Sequence, residues 1–121
     1  MPQSSNNKVY DLEERTFKFA RDCKNHVKKI PKSQSNFEYT KQLIRSSASQ
    51  AANYIEANEA LSRKDFSHRI KICRKEAKES RLWLRLIDCG IDSKVLDNNK
   101  RLQQEAVELT KIFSSIIEKS K

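Results

Sequence analysis

A single glycine, Gly90, and two prolines, Pro2 and Pro31, punctuate a chain of 121 residues. Sheets and hairpins consume glycine at their corners, so this scarcity argues against β architectures and leaves long helices to organise the chain. The apolar spacing agrees. Leu12, Thr16, Phe19, Cys23, Val27 and Ile30 recur at intervals of three and four, which is one helical face. Pro31 disfavours helix at the residue before it, so the first helix is expected over Tyr10 to Ile30, after a disordered polar tail over 1–9.

The polar segment "KSQSN" supplies a turn and a cap for a second helix, expected from Asn36 to Ala60. Its stripe takes in Phe37, Thr40, Ile44, Ser47, Ala48, Ala51, Tyr54, Ile55 and Asn58, and its middle is nearly all small. "LSRKD" has the form of a capping box, with Ser62 as cap and Asp65 three residues on. Phe66, Ile70, Cys73, Ala77, Leu84 and Ile87 then make the core face of a third helix, and Gly90 falls where a left-handed cap is wanted. Asp92 or Ser93 can cap a fourth helix carrying Leu96, Leu102, Ala106, Leu109, Phe113 and Ile116. "DNNK" at 97–100 is a poor helical segment and admits a break there, with the regular part beginning near Asn99. Four amphipathic helices joined by short connections make an all-α, up-down-up-down bundle, one domain over 10–121.

Two helices carry a second strip. On the third, Ile72, Glu76, Glu79, Trp83 and Leu86 lie beside the core face; on the second, Arg45, Ser49, Ala52 and Glu56 do the same. Two accounts stay open: the edge of the monomer core with the acids solvated, or a subunit interface, where aromatics and Arg concentrate. Arg45 and Glu56 are separated by about 16 Å of helix, so each needs a partner on another helix or subunit, or water. Hydrophobic residues make up 36% of the chain, which limits the core and favours further burial by self-association. The small middle of the second helix would then admit two close neighbours, one inside the bundle and one in the next subunit.

The formal charge is +9, and Leu61 to Arg85 holds nine Lys or Arg against three acids. At 100° per residue, Lys64, Lys71, Arg74, Lys75, Lys78, Arg81 and Arg85 fall within about a third of the helix circumference. Such a face is either a solvated surface kept basic for solubility or a track for the phosphates of RNA or DNA, salt-dependent and indifferent to sequence. Trp83 points away from it, so no stacking platform for single-stranded bases is expected.

Chemistry for catalysis is missing from the pattern. Cys23, Cys73 and Cys89 are odd in number and widely spaced, as buried thiols are; His26 and His68 have no nucleophile or acid partner readable nearby. "HRIKIC" lacks metal-ligand spacing. Glu56, Glu76 and Glu79 lack the Glu-x-x-His partners of di-iron bundles, and no glycine-rich loop cradles a nucleotide. No enzyme activity, cofactor or metal is expected. No apolar run approaches the ~18–20 residues of a membrane span, and "MPQSSNNKVYDLEER" lacks the apolar centre of a secretory signal, so a cytoplasmic protein without membrane contact is expected.

"YDLEERTFKFARDC" and "QLIRSSASQAANYIEANEALSRKDFSHRIKICRKEAKESRLWLRLI" closely resemble the four-helix-bundle proteins encoded in intervening sequences of bacterial 23S ribosomal RNA genes, the S23 family. The resemblance spans about Tyr10 to Phe113. It implies a homopentamer of four-helix subunits. A related branch, the accessory proteins of diversity-generating retroelements, forms a basic pentameric barrel that binds nucleic acid and a reverse transcriptase, which makes a protein partner of that kind an alternative to nucleic acid alone. Arg45, Asn53, Glu56, Glu76, Glu79 and Trp83 match polar and aromatic positions of the family motif, and the resemblance implies interhelical or intersubunit contacts for them.

Overall fold

The computed structural model describes residues 11–121. Among them are four helices and no strand: α1 (Leu12–Val27), α2 (Gln34–Asn58), α3 (Arg63–Leu86) and α4 (Ser93–Lys119). The tail expected over 1–9, and Tyr10, lie outside the described residues. Connections of six, four and six residues are too short to reverse the order of neighbours, so each helix runs antiparallel to the next. α3 packs against α2 and α4, and α1 closes the square between α2 and α4. The Arg15–Glu105 and His26–Asn99 contacts fix α1 antiparallel to α4.

Side chains set the helix starts. Ser33 Oγ accepts from the Asn36 amide at 3.1 Å, Ser62 Oγ from Asp65 at 3.0 Å, and Asp92 Oδ1 from Lys94 at 2.9 Å, each satisfying a donor that the first turn leaves unpaired. α1 ends at Val27, three residues short of expectation, because the chain before Pro31 tightens: Lys29 and Ile30 donate back to the carbonyls of His26 and Val27.

Gly90 does adopt a left-handed conformation, at φ +74°, but it is not the cap of α3. That helix stops at Leu86, its cap residue Ile87 is extended, and Gly90 sits inside the α3–α4 connection. A Cβ there would approach Pro31 Cγ to 3.1 Å, so the glycine lets two connections touch at one end of the bundle. Asn36 stitches the same corner. Its Nδ2 donates to the carbonyls of Pro31 and Asp88, and its Oδ1 accepts from the Asp88 amide, all within 2.9 Å.

The core faces expected for α1 and α3 are buried, with Phe66 and Val27 partly so. In α4 the line holds from Leu102 to Phe113; Val95 rather than Leu96 is buried at its start, and Ile117 joins the partly buried Ile116 at its end. No break interrupts α4 at 97–100, because Asn98 and Asn99 are held by the buried ring of His26, and tertiary contact overrides weak propensity.

α2 is turned relative to expectation. Of the expected stripe Thr40 and Ser47 are buried and Ala51 and Tyr54 half-buried, but Phe37, Ile44, Ala48, Ile55 and Asn58 are exposed, and Asn36, Leu43, Ser46, Gln50 and Ala57 complete the buried line instead. The buried line is largely polar, and its hydrogen bonds make that burial affordable. Ser46 and Ser80 hydroxyls meet at 2.7 Å between α2 and α3, and Gln50 Nε2 donates to the Thr16 carbonyl of α1 at 2.9 Å.

Candidate nucleic-acid interface

The buried line Ile70, Cys73, Ala77, Ser80 and Leu84 fixes how α3 is rotated, and that rotation turns the basic face outward. Lys64, Lys71, Lys75, Lys78, Arg81 and Arg85 are exposed; Arg74 is half-buried against α4, with Nη1 3.5 Å from Ser114 Oγ. Among the described residues the ion pairs fall to Arg15, Arg21, Arg45, Arg101, Lys111 and Lys121, and none to these seven cations. From Lys64 to Arg85 the track is about 32 Å long at the helical rise. Leu82, 43% exposed, lies within it, and Leu86, 44% exposed, borders it. Leu82 was missed in the sequence because a lone apolar residue between cations carries no period.

The two second strips meet each other along the α2–α3 seam. Arg45 Nη2 lies 3.3 Å from Glu76 Oε1 and 3.2 Å from Glu79 Oε1, and Nη1 lies 3.4 Å from Glu76 Oε2. The Glu76 side chain is 7% exposed against 50% for Arg45, so the pair is a buried carboxylate answered from the rim. The hydrogen bond to Glu76 is the main cause that raises the Arg45 pKa above its ordinary value. Asn53 Oδ1 accepts from Arg69 Nη1 at 2.9 Å, while Asn53 Nδ2 returns to the Ser49 carbonyl. Trp83, half-buried, stacks on Tyr39 of α2 with centroids 6.0 Å apart, and its Nε1 is shielded with no hydrogen-bond partner among the described residues. Ser49 and Ile72 are half-buried; Ala52 and Glu56 face outward.

Burial pushes the Cys23 and Cys73 thiols up to about 12 and raises Cys89, so all three resist forming thiolate. His26 is buried on α1, with Asn99 Nδ2 3.0 Å from Nε2 and Asn98 Nδ2 3.2 Å from Nδ1. Among the described residues no cluster of three or more His, Cys, Asp or Glu is placed to hold a metal ion. No described helix is long and apolar enough to cross a membrane.

The family model for 23S rRNA-intervening sequence proteins matches residues 8–115, nearly the whole bundle. The chain belongs to that family. A crystal structure of a protein of unknown function from the S23 ribosomal protein family of Bacteroides thetaiotaomicron VPI-5482 superposes with a TM-score of 0.73 at 30% identity. The likeness covers 88% of this chain and 97% of that one. A search of curated proteins finds no match. This member of the 23S rRNA-intervening sequence family thus shares its bundle with that S23-family relative, and no enzymatic family is indicated.

Proposed function

We propose that this protein is a non-enzymatic, nucleic-acid-binding homo-oligomer that contacts RNA or DNA backbones through the basic face of α3. One observation carries the reading: seven cations share about a third of one helix surface, six of them exposed and none spent on a carboxylate among the described residues. A solvating surface needs no such concentration. The contact is to phosphates, because no aromatic platform accompanies the cations and Trp83 is engaged with Tyr39. The Lys71→Glu/Lys75→Glu/Lys78→Glu variant, measured by fluorescence anisotropy on a labelled oligonucleotide at modest salt, loses binding while its helical circular dichroism is kept. Unchanged affinity would sink the assignment.

Assembly into a ring, which the family resemblance implies as a pentamer, would multiply weak phosphate contacts through effective concentration. The seam residues Arg45, Glu76 and Glu79 are engaged inside the subunit, so the apolar surface most available for assembly is on α1 and α2: Phe17, Phe37, Ile44 and Ile55 are 52%, 65%, 43% and 46% exposed. A cleft of about 720 Å³ opens at one end of that surface, lined by Val27, Ile30, Pro31, Phe37 and Ile44 among others. The same surface favours a second reading, a scaffold that recruits a protein partner such as a reverse transcriptase. Phe37→Glu separates its roles: light scattering moves toward monomer if the surface joins subunits, and pull-down from nuclease-treated lysate loses a retained protein if it recruits one. A variant indistinguishable from wild type in both assays would remove the surface from either role.

A further inference from the structure

At the α2–α3 end of the bundle the basic face runs into a cleft of about 570 Å³, lined by Arg63, Lys64, Ser67, His68 and Lys71 of α3 and by Ser120 after α4. Three of the six lining side chains are cations, and none is an acid. Neither Arg63, Lys64 nor Lys71 lies within ion-pair distance of a carboxylate among the described residues. Ser67 adds a hydroxyl and His68 an imidazole, both able to donate to an anionic oxygen. The volume is within the ~300–1,000 Å³ range of small-ligand sites.

The neighbouring cleft has the opposite character. Glu56, Glu59 and Asp65 line it together with His68 and Arg69, so three acids lie across His68 from the cationic cleft. An anion approaching the end of the bundle is drawn to one cleft and repelled from the other.

We propose that the Arg63–Lys64–Lys71 cleft binds a terminal phosphate, the doubly charged monoester at the end of a nucleic-acid strand whose internal phosphates follow Lys71 to Arg85. This rests on the nucleic-acid reading above. The chemistry follows from charge: a phosphomonoester carries about −1.5 to −2 near neutral pH, with three acceptor oxygens, whereas each internal diester carries one charge. A site lined by three cations at the end of the track favours the former. Arg63 lies at the end of the track, one residue before Lys64, so its removal trims the cleft and leaves Lys71 to Arg85 in place.

The test is anisotropy at fixed salt on one twelve-nucleotide strand carrying a 5′-phosphate, a 3′-phosphate or hydroxyl ends, with a free mononucleotide and inorganic phosphate as competitors. The expected result is about five- to tenfold tighter binding of a phosphorylated end than of the hydroxyl-ended strand, abolished in Arg63→Gln, whose hydroxyl-ended affinity stays within about twofold of wild type. Competition by inorganic phosphate or mononucleotide at micromolar concentration would instead assign the cleft to a free phosphate ligand and overturn the strand-end proposal. Equal affinity for all three strands would overturn it too and leave the track standing. No binding of any strand would remove both.

Discussion

His26 shows how one buried side chain can govern this fold. It is 1% exposed, with the Asn99 Nδ2 amide facing Nε2 and the Asn98 Nδ2 amide facing Nδ1, while the carbonyl oxygens of those asparagines accept from Gln103 and Arg101. A neutral ring keeps one nitrogen able to accept from such a donor, and a protonated ring keeps none. Burial, then the charges of Arg101 and Lys29, hold the ring's pKa below its ordinary 6.5. The unfolded chain therefore takes up the proton first on acidification. The contribution of the neutral ring is complete above about 6.5 and is lost as pH falls through the lower native value. Thermal melts at pH 7.5 and 5.5 should show a larger loss of Tm for the wild type than for His26→Gln; equal losses would show that His26 is not the group that titrates. The sequence placed His26 one residue from a core position without assigning it to the core, because a lone histidine gives no apolar period and its two asparagine partners lie more than 70 residues away.

At the scale of the helices, what could be read depended on what each one buries. α1 and α3 bury apolar lines whose three-and-four spacing is explicit, and the Ser62 and Asp92 caps follow from local chemistry. In α2 the pattern finds Thr40 and Ser47 but not Asn36, Leu43, Ser46 and Gln50, because the inner face is mostly polar while Phe37, Ile44 and Ile55 face out. Hydrophobic periodicity cannot find a face made acceptable by hydrogen bonds to other helices. Two adjacent residues measure the rotation. Leu43, fully buried, should lose about 2–5 kcal/mol on change to Ala, whereas Ile44, 43% exposed, should lose under about 1 kcal/mol. Chemical denaturation of both variants checks this, and comparable losses would mean that α2 is rotated toward the original expectation.

For the whole molecule, the bundle leaves its sides electrically and chemically unequal. α3 turns outward cations that pair with no carboxylate among the described residues, α2 and α3 bind each other through the Arg45–Glu76–Glu79 cluster, and α1 with α2 presents exposed apolar residues. The cationic face was legible in the sequence because charge asymmetry on one helix survives any small error in its limits. The pairing of Arg45 with Glu76 was not, since 31 residues separate partners whose contact depends on how α2 is turned. The measurement that bears most directly on function is oligonucleotide affinity for wild type and Lys71→Glu/Lys75→Glu/Lys78→Glu over a series of salt concentrations. Phosphate binding through α3 predicts a linear fall of log affinity with log salt, at about 0.7–0.9 per neutralised phosphate, and a shallower slope with weak residual binding in the variant. A wild type that binds nothing at low salt, or a variant with the same slope and affinity, would contradict the assignment of α3 as the nucleic-acid interface.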